Sequence, residues 1–492
     1  MTGPGGRSGL ATRRSLLAVP PLVGLVAVVV ATGKGLYTSP DAVFYVGTAR
    51  NWLDGKGFTP PPGLQDIEHF PPLFTVVLAG LGRLGLDPLD GARLVNAVAF
   101  AGIVLLVGLV VRARTESVPA ALVASVLTMA AVDLLTFAGS ALSEPLFILL
   151  ALSGLVVLSA HLDRPRAALL AGASALAGAA FLTRYAGVAL VVGGVAALLW
   201  RRRWLDAAIF GGAASLPVAL FLLLADGGES RRTLALHLPG GEYLGQAARP
   251  FSRWLVPWPK PPAGVVLAVV LVVGGVALLR RASVKRPAGW PAPPWLLVAF
   301  TVAYLAVLLA NRSLVDASGR LDARFLVPLH VVAILLVVPA LYRRTLPAPA
   351  LAVAGVLILA QVVDATAWTV GGLTDDSVSR RGYTAAAWEE SSIVAQLAVA
   401  DVPVYTNGFD LLFLLTGRSA LPIPSVIDHL TGDPNPHFDQ DLAAMRASGG
   451  VVAYFHALTF RRSFLPTRAE LELLLPLEVV TQDPLGTLYR LR

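Results

Sequence analysis

Apolar runs of about 17–25 residues recur along most of this 492-residue chain, and they constrain its fold more than any other feature. A helix needs about 20 apolar residues to cross roughly 30 Å of hydrocarbon. The composition agrees, because 55% of the residues are hydrophobic, 14% are charged and the mean hydropathy is +0.70. The sequence therefore predicts an α-helical polytopic membrane protein.

The apolar runs predict about eleven membrane-spanning helices. By residue number these are 15–33, 89–111, 118–137, 141–160, 167–183, 186–200, 205–224, 263–279, 295–310, 325–341 and 348–370. Basic clusters lie in alternate connections: Arg7, Arg13 and Arg14; Arg112 and Arg114; Arg164 and Arg166; Arg201–Arg203; Arg280, Arg281, Lys285 and Arg286; Arg343 and Arg344. Cytoplasmic loops are enriched in such residues, so we expect a cytoplasmic N-terminus.

The formal net charge of +8 and the isoelectric point near 10.0 are also typical of proteins that bind nucleic acid. Here the cations lie in short loops between apolar runs, where they determine topology, so we expect no nucleic-acid partner. The chain has no cysteine, which excludes disulfide bonds and thiolate chemistry.

Residues 371–492 have the composition of a globular protein, and with eleven spans they lie outside the cell membrane. The segments "AAWEESSIVAQLA" and "FDQDLAAMRAS" predict amphipathic helices, and "VPVYTN", "VVAYF", "LEVVT" and "GTLYRLR" predict short strands. This alternation is typical of an α/β domain. We therefore expect a membrane domain over residues 1–370 and a small extracytoplasmic α/β domain over residues 371–492.

The first outer loop, residues 34–88, is longer than a simple connection needs. In "SPDAVFYVGTARNWLDGKGF", Ser39 can cap a helix and Pro40 fits its first turn. Helical spacing places four side chains on one face: Asp41, Tyr45, Thr48 and Trp52. The short apolar run that follows Pro71 and Pro72 predicts a second helix lying in the membrane interface. The same pattern would also occur in a surface helix in which the Asp41 carboxylate only interacts favourably with the dipole at the helix N-terminus.

A long first outer loop with two interfacial helices and an early aspartate resembles the type-C glycosyltransferases, which are polytopic enzymes that use polyprenyl-phosphate-linked sugars. The resemblance continues in chain order through "SEPLF" (143–147), "FLTRYAG" (181–187), "RLDARFLVPLH" (320–330) and "VYTNGFDLLFLLTGRSALPIPS" (404–425). The bacterial aminoarabinose transferases and protein O-mannosyltransferases are broadly similar. Many members have adjacent acidic residues in the first loop, whereas here Ala42 follows Asp41.

The resemblance implies transfer of a hexosyl or pentosyl group from a polyprenyl-phosphate donor to a cell-envelope acceptor, by inverting displacement on the outer face. The attacking hydroxyl must lose a proton, so a carboxylate must lie within hydrogen-bond reach of it. Asp41 is our candidate base. Asp66 and Glu68 are alternatives that can equally be solvated loop charges. The sequence does not identify the donor sugar, or whether the acceptor is a glycan, a lipid or a protein.

The leaving lipid phosphate needs cations, and the arginine fork matches phosphate oxygens. The predicted donor-phosphate-binding residues are Arg184, Arg324 and Arg320. Arg184 can instead snorkel to lipid headgroups, and Asp322 can neutralise either of the other two. Glu144 begins the fourth span, where an unpaired carboxylate is costly. It can pair with Arg184, bind an acceptor, or interact with the helix dipole.

Three further residues are predicted to contact substrate: Tyr45, His69 and Tyr185. His69 and His330 are also candidate metal ligands, but no spacing of His, Asp and Glu in the sequence makes a convincing set. We therefore expect no cofactor and no tightly bound metal, while a loosely held divalent cation is compatible with the sequence.

Other functions are compatible with a polytopic helical chain. A transporter or flippase of lipid-linked or small polar solutes places ionisable groups mid-span and often has repeated halves. Here the charges lie at outer helix ends and we find no internal repeat. A lipid-A or O-antigen-type ligase would use outer arginines without needing Asp41. A non-catalytic envelope scaffold would tolerate asparagine at that position.

Overall fold

The computed structural model describes residues 16–64, 67–225, 241–257, 294–314, 320–344, 348–428, 433–462 and 464–492. Up to residue 225 its helices are α1 (Val19–Ala31), α2 (Pro40–Leu53), α3 (Leu73–Arg83), α4 (Pro88–Thr115), α5 (Val118–Met129), α6 (Val132–Ala138), α7 (Glu144–Asp163), α8 (Ala167–Thr183), α9 (Val188–Trp200) and α10 (Trp204–Ala225). Beyond it they are α11 (Gly241–Arg253), α12 (Pro294–Leu314), α13 (Ala323–Tyr342), α14 (Ala348–Thr374), α15 (Val378–Arg381), α16 (Ser392–Ala398), α17 (Phe409–Thr416), α18 (Phe438–Ser448) and α19 (Arg468–Leu474).

Six helices within the described ranges are long and apolar enough to cross a membrane: α4, α7, α10, α12, α13 and α14. Helices α5 and α6, bent by 59°, would make a seventh span, and α1, α3, α8 and α9 are apolar but shorter. Ten of the eleven predicted spans coincide with described helices, and the other, 263–279, lies outside the described residues. The protein is a multi-pass membrane protein, and the count of eleven stays a prediction.

The membrane helices pack around one apolar core, to which α4 contributes Phe100 and α7 contributes Phe147, both fully buried. Small residues allow the closest approaches, as is common between helices in membranes. At Gly178 of α8 an added Cβ would lie 3.1 Å from the carbonyl oxygen of Ala214 in α10. The apolar runs thus form both the lipid-facing surface and the interior of the bundle.

Two of the described basic clusters form hydrogen bonds with the ends of neighbouring helices. Arg203, after α9, donates hydrogen bonds of 2.9 and 3.1 Å to the carbonyl oxygens of His161 and Leu162 near the end of α7. Arg343, after α13, donates to the carbonyl oxygen of Arg114 at 2.7 Å. The N-termini of α7 and α13 therefore lie at the opposite end, while the orientation in the membrane stays a prediction.

The first outer loop contains the two expected helices, α2 and α3. Ser39 occupies the N-cap position of α2 and Pro40 its first turn, although the Ser39 side chain makes no capping hydrogen bond. Most of α2 is buried, with Val43, Phe44 and Tyr45 at most 2% exposed. Helix α2 is therefore an internal helix that packs against other parts of the protein.

The C-terminal region contains one mixed sheet of strands β1 (Val404–Thr406), β2 (Leu421–Pro422), β3 (Gly450–Phe455), β4 (Leu477–Asp483) and β5 (Gly486–Leu491), in the order β2-β1-β3-β5-β4. Strand β1 is parallel to β2 and β3, whereas β5 is antiparallel to β3 and β4. Four of these strands were predicted. Strand β2 was missed because two residues carry no detectable alternation.

The first outer loop and the C-terminal region share an apolar core. Phe44 of α2 and Phe74 of α3 belong to the same buried cluster as Trp388, Leu411 and Phe455. The boundary between two domains at residue 370 stays a prediction. The shared apolar core contains residues from both sides of it.

A short joint connects the end of α14 to the segment before α2. The buried guanidinium of Arg381 donates to the carbonyl oxygens of Ala31 at 3.1 Å, Gly35 at 2.6 Å and Gly372. The next residue, Gly382, has a φ of +63°, and a Cβ there would lie 1.9 Å from the carbonyl oxygen of Thr38. This joint holds the C-terminal region against the loop that carries Asp41.

Candidate active site

Four charged side chains from distant parts of the sequence meet at the end of the bundle opposite the basic clusters. Asp41 lies in the first turn of α2, Glu144 begins α7, Arg184 follows α8, and Arg324 lies in the first turn of α13. Each lies at a helix end, so the packing of the helices brings these side chains together.

Arg324 connects the two carboxylates. Its Nη1 donates to Asp41 Oδ2, and its Nε donates to Glu144 Oε1. The same Glu144 oxygen accepts a second hydrogen bond from Arg184 Nη1 at 2.6 Å. The Glu144 side chain is 1% exposed, and the two guanidinium groups compensate its burial. The sequence-based pairing of Glu144 with Arg184 is thus present, with Arg324 added.

Asp41 is part-buried, its side chain 25% exposed. Burial raises the pKa of its carboxyl, but the positive charges of Arg324, His69 and Arg184 outweigh that effect and hold the pKa below its ordinary value. Asp41 is therefore ionised at neutral pH, as a general base must be.

Tyr45 lies one helical turn after Asp41 and is fully buried. Its hydroxyl lies 3.2 Å from Ser143 Oγ, which also accepts a hydrogen bond from Arg184 at 3.4 Å. Burial raises the pKa of Tyr45 above its ordinary value. Its hydroxyl is therefore a neutral group that helps to fix the residue before Glu144.

The structure brings Glu68 close to the site through its backbone. Its carbonyl oxygen accepts a hydrogen bond of 2.5 Å from the Tyr185 hydroxyl, which joins the first outer loop to the residue after Arg184. His69 packs edge-on against Phe70, with 4.6 Å between ring centroids. Asp66 lies outside the described residues.

Arg320 is not brought together with Arg324 on one helix. Helix α13 begins only at Ala323, and the exposed Arg320 precedes it. Asp322 caps the helix, with its Oδ1 accepting from the Arg324 backbone N–H at 2.9 Å. Because the capping aspartate starts the helix after Arg320, the two arginines do not share a helix face, and a role of Arg320 in phosphate binding stays a prediction.

A cavity of about 900 Å³ opens beside Asp41, between the N-terminus of α2 and the C-terminal sheet. Its far wall carries a buried network that the sequence analysis missed. Arg462 Nη2 donates to Asp410 Oδ1 at 2.5 Å and to the Tyr383 hydroxyl at 3.0 Å, and that hydroxyl donates to Asp410 Oδ2 at 2.7 Å. The one available signal was an aspartate within the apolar segment "GFDLLFLL".

Two solved structures of ArnT from Cupriavidus metallidurans are similar to this chain over nearly its whole length. The structure bound to undecaprenyl phosphate is 14% identical in sequence and has a TM-score of 0.62. The match covers 97% of this chain and 98% of the ArnT chain. The apo structure is 15% identical with a TM-score of 0.61, and covers 98% of both chains. The chain has the fold of the type-C glycosyltransferases.

The archaeal oligosaccharyltransferase AglB from Archaeoglobus fulgidus, in complex with an inhibitory peptide and a dolichol-phosphate, is also similar. It is 12% identical, with a TM-score of 0.48, and the match covers 98% of this chain and 74% of that one. No protein-family model and no curated protein matches the sequence.

Within this type-C fold, the site combines an ionised carboxylate, two arginines and an adjacent cavity. A carboxylate can accept a proton, and guanidinium groups can stabilise a phosphate. Across the described ranges, no group of three His, Asp or Glu side chains could hold a metal ion. The expectations of no cofactor, no tightly bound metal and a loosely held cation stay predictions.

Proposed function

We propose that this protein is a membrane glycosyltransferase that moves a sugar from a polyprenyl-phosphate-linked donor to a hydroxyl of a cell-envelope acceptor. The observation that carries the proposal is the ionised Asp41, held by Arg324 beside Arg184 at the mouth of a cavity. The ArnT structure with the same fold contains undecaprenyl phosphate, which supports a polyprenyl phosphate as the lipid of the donor.

In the proposed reaction, Asp41 accepts the proton of the acceptor hydroxyl as its oxygen attacks the anomeric carbon. A new bond forms from that oxygen to the carbon, and the bond from the carbon to the phosphate oxygen breaks. The electron pair leaves with the lipid phosphate, which Arg184 and Arg324 stabilise. A single displacement of this kind inverts the configuration at the anomeric carbon.

Arg324 couples donor binding to the strength of the base. In the structure, its guanidinium pairs with Asp41 and Glu144. A lipid phosphate that competes for this guanidinium weakens its pairing with Asp41 and adds negative charge, and both effects raise the pKa of the carboxyl. The carboxylate thus becomes a stronger base when the donor is in place.

The site belongs on the outer face of the membrane in this proposal. The basic clusters of α9 and α13 lie at the opposite end of the bundle, and such clusters favour the cytoplasmic side. The N-terminus is then cytoplasmic, and the C-terminal α/β region is extracytoplasmic. That side is where a cell-envelope acceptor is available.

The test is sugar transfer by the purified full-length protein in liposomes, with labelled polyprenyl-phosphate sugars and cell-envelope extract as acceptor. We expect Asp41→Asn to lower transfer by about 100-fold or more, because a positioned general base contributes on that scale. Asp54→Asn is the matched control, since Asp54 follows the same helix and its side chain is 58% exposed. That variant should transfer at the wild-type rate.

Donor binding and thermal unfolding of both variants show whether the protein stays folded. Full activity of Asp41→Asn would refute the base assignment. Absence of transfer by the wild type with every donor and several envelope extracts would refute the enzyme itself, and would favour a transporter, flippase or scaffold.

A further inference from the structure

The cavity beside Asp41 lies at the carboxyl ends of the three parallel strands. Residues that follow β1, β2 and β3 line it, including Phe409, Ile423 and Leu458. The sheet order β2-β1-β3 places the two later strands on opposite sides of β1. In open α/β sheets, ligands bind outside the carboxyl ends of the strands where the strand order reverses in this way.

Side chains hold this crevice in shape. The Asn407 side chain bridges the ends of β1 and β3, donating to the Phe455 carbonyl oxygen at 3.0 Å and accepting from its N–H at 2.8 Å. The Asp410–Arg462 ion pair, 0% and 6% exposed, fixes the first turn of α17 to the segment after β3. The crevice is therefore preformed, as small-molecule sites usually are.

Asp41 and Pro40 form part of the opposite wall. A molecule held by the sheet can thus present a group directly to the proposed base. The Arg184 guanidinium does not line the cavity, and it pairs with Glu144 behind Asp41. This arrangement separates an acceptor side in the crevice from a donor-phosphate side among the membrane helices.

The charges of the crevice select against anions. Three carboxylates line it, from Asp41, Asp410 and Asp441, and Arg462 is the one cation among its described lining residues. That cation is neutralised by Asp410 at 2.5 Å. Asp41 and Asp410 each pair with an arginine, so the exposed Asp441 supplies the negative charge that disfavours a phosphorylated or otherwise acidic group. The crevice therefore favours an uncharged occupant.

Hydroxyl and aromatic groups dominate the rest of the polar lining. Tyr37, Tyr383 and Tyr405 line the cavity with Ser379 and Ser425. Carboxylates and hydroxyls accept hydrogen bonds from hydroxyl groups, and aromatic rings offer rigid apolar surface beside a polar tip. A ligand that matches both has many hydroxyls on a compact carbon skeleton. Neutral saccharides have this chemistry.

We propose that the crevice at the carboxyl ends of β1, β2 and β3 binds a neutral saccharide, the end of a glycan acceptor, and presents one of its hydroxyls to Asp41. The transfer role of this site rests on the proposed glycosyltransferase function, whereas saccharide binding does not. An extended peptide fits less well, because the edge strand β2 has two residues and includes Pro422. Such an edge offers few hydrogen bonds for an added strand.

Two neighbouring alanines of α18 allow a matched test. Ala443 and Ala444 are both exposed, and only Ala444 lines the cavity. We expect Ala444→Trp to fill the crevice and to weaken binding of neutral methyl disaccharides by at least about 10-fold, measured by saturation-transfer NMR on full-length protein in nanodiscs. Ala443→Trp should bind them like the wild type, and both variants should bind undecaprenyl phosphate unchanged.

Charge selection is tested with Asp441→Lys. Asp441 is exposed on α18 and lines the cavity. We expect the wild type to reject a disaccharide phosphate and the lysine variant to bind it at least about 10-fold more tightly.

Three results would overturn the proposal: no neutral disaccharide binds, Ala444→Trp binds as well as Ala443→Trp, or an unglycosylated peptide competes for the crevice. Because binding is measured without donor, it does not depend on catalysis. Saccharide binding that is lost in Ala444→Trp, together with no transfer under any condition, would refute the proposed function and leave this crevice as a saccharide site.

Discussion

At the scale of single residues, the central feature is that Arg324 is shared by two carboxylates. Glu144 is buried and also bonded to Arg184, so it holds both guanidinium groups in place. Asp41 is more exposed and faces the cavity. Glu144 therefore stabilises the two arginines, whereas Asp41, paired with Arg324 alone of these two, lies where a substrate in the cavity can reach it.

The pKa of Asp41 leads to a prediction about pH dependence. Protonation abolishes its action as a base, so activity falls as the pH drops through its pKa. The profile of kcat/KM for the donor reports the free enzyme, where Arg324 holds this pKa below its ordinary value. The profile of kcat reports the donor complex, where the phosphate raises it.

We expect the acidic limb of kcat to lie at higher pH than the acidic limb of kcat/KM for the donor. The measurement is initial rates in liposomes across acidic pH, with Asp54→Asn as a control that should keep both limbs. Coincident limbs would show that the donor phosphate does not act on Asp41 through Arg324.

At the scale of elements, the joint at Arg381 and Gly382 decides how the C-terminal region sits on the membrane helices. Arg381 is 2% exposed and binds carbonyl oxygens on both sides of the joint. Gly382 makes a bridge with Thr38, two residues before α2 begins. Residues 372–382 are thus fixed to residues 31–38, which are distant in the sequence, and so to the start of the helix that carries Asp41.

Gly382→Ala should destabilise this joint, because φ is +63° and the new Cβ would overlap the Thr38 carbonyl oxygen. With ψ at −123°, this sparsely populated backbone conformation alone costs about 1–3 kcal/mol for a residue with a Cβ. We expect the apparent Tm of the detergent-solubilised protein to fall by at least about 2 °C. Gly371→Ala is the control, since nothing lies within 4 Å of its Cβ position in α14. Equal Tm values for the two variants would contradict this role of Gly382.

At the scale of the whole molecule, the membrane helices and the C-terminal sheet each have an apolar cluster, and a further cluster joins the C-terminal region to the first outer loop. A small cluster around Met445, Val452 and Tyr489 is internal to the C-terminal sheet. The larger cluster combines Trp388 and Phe455 with α2 and α3. The cavity that Asp41 faces exists only because these regions pack together.

We therefore expect residues 371–492, expressed alone, to bind a hydrophobic dye and to lack a cooperative thermal transition, because the surface covered by α2 and α3 would be exposed. As a control, the full-length protein cut at a protease site at residues 375–377, between α14 and α15, should keep its C-terminal part bound. A cooperative transition of the isolated segment at the temperature of the intact protein would show that the shared core is dispensable.

The sequence by itself determined the local features of this protein. Runs of apolar residues form helices because a helix satisfies its own backbone hydrogen bonds, and alternation identified β1, β3, β4 and β5. The chemistry that the resemblance implies, together with the cost of unpaired charges at helix ends, indicated Asp41, Glu144, Arg184 and Arg324 one at a time. Each of these inferences depends on residues within a few turns of one another.

Only the tertiary structure decided how those side chains combine. The sequence suggested that Glu144 could pair with Arg184, but not that Arg324 joins Glu144 to Asp41 across 180 and 283 residues. It also contained no sign that Asp410 and Arg462 meet at a crevice aimed at α2. Such contacts depend on the angles at which helices and strands pack. Those angles follow from close packing of the whole core, which no local pattern encodes.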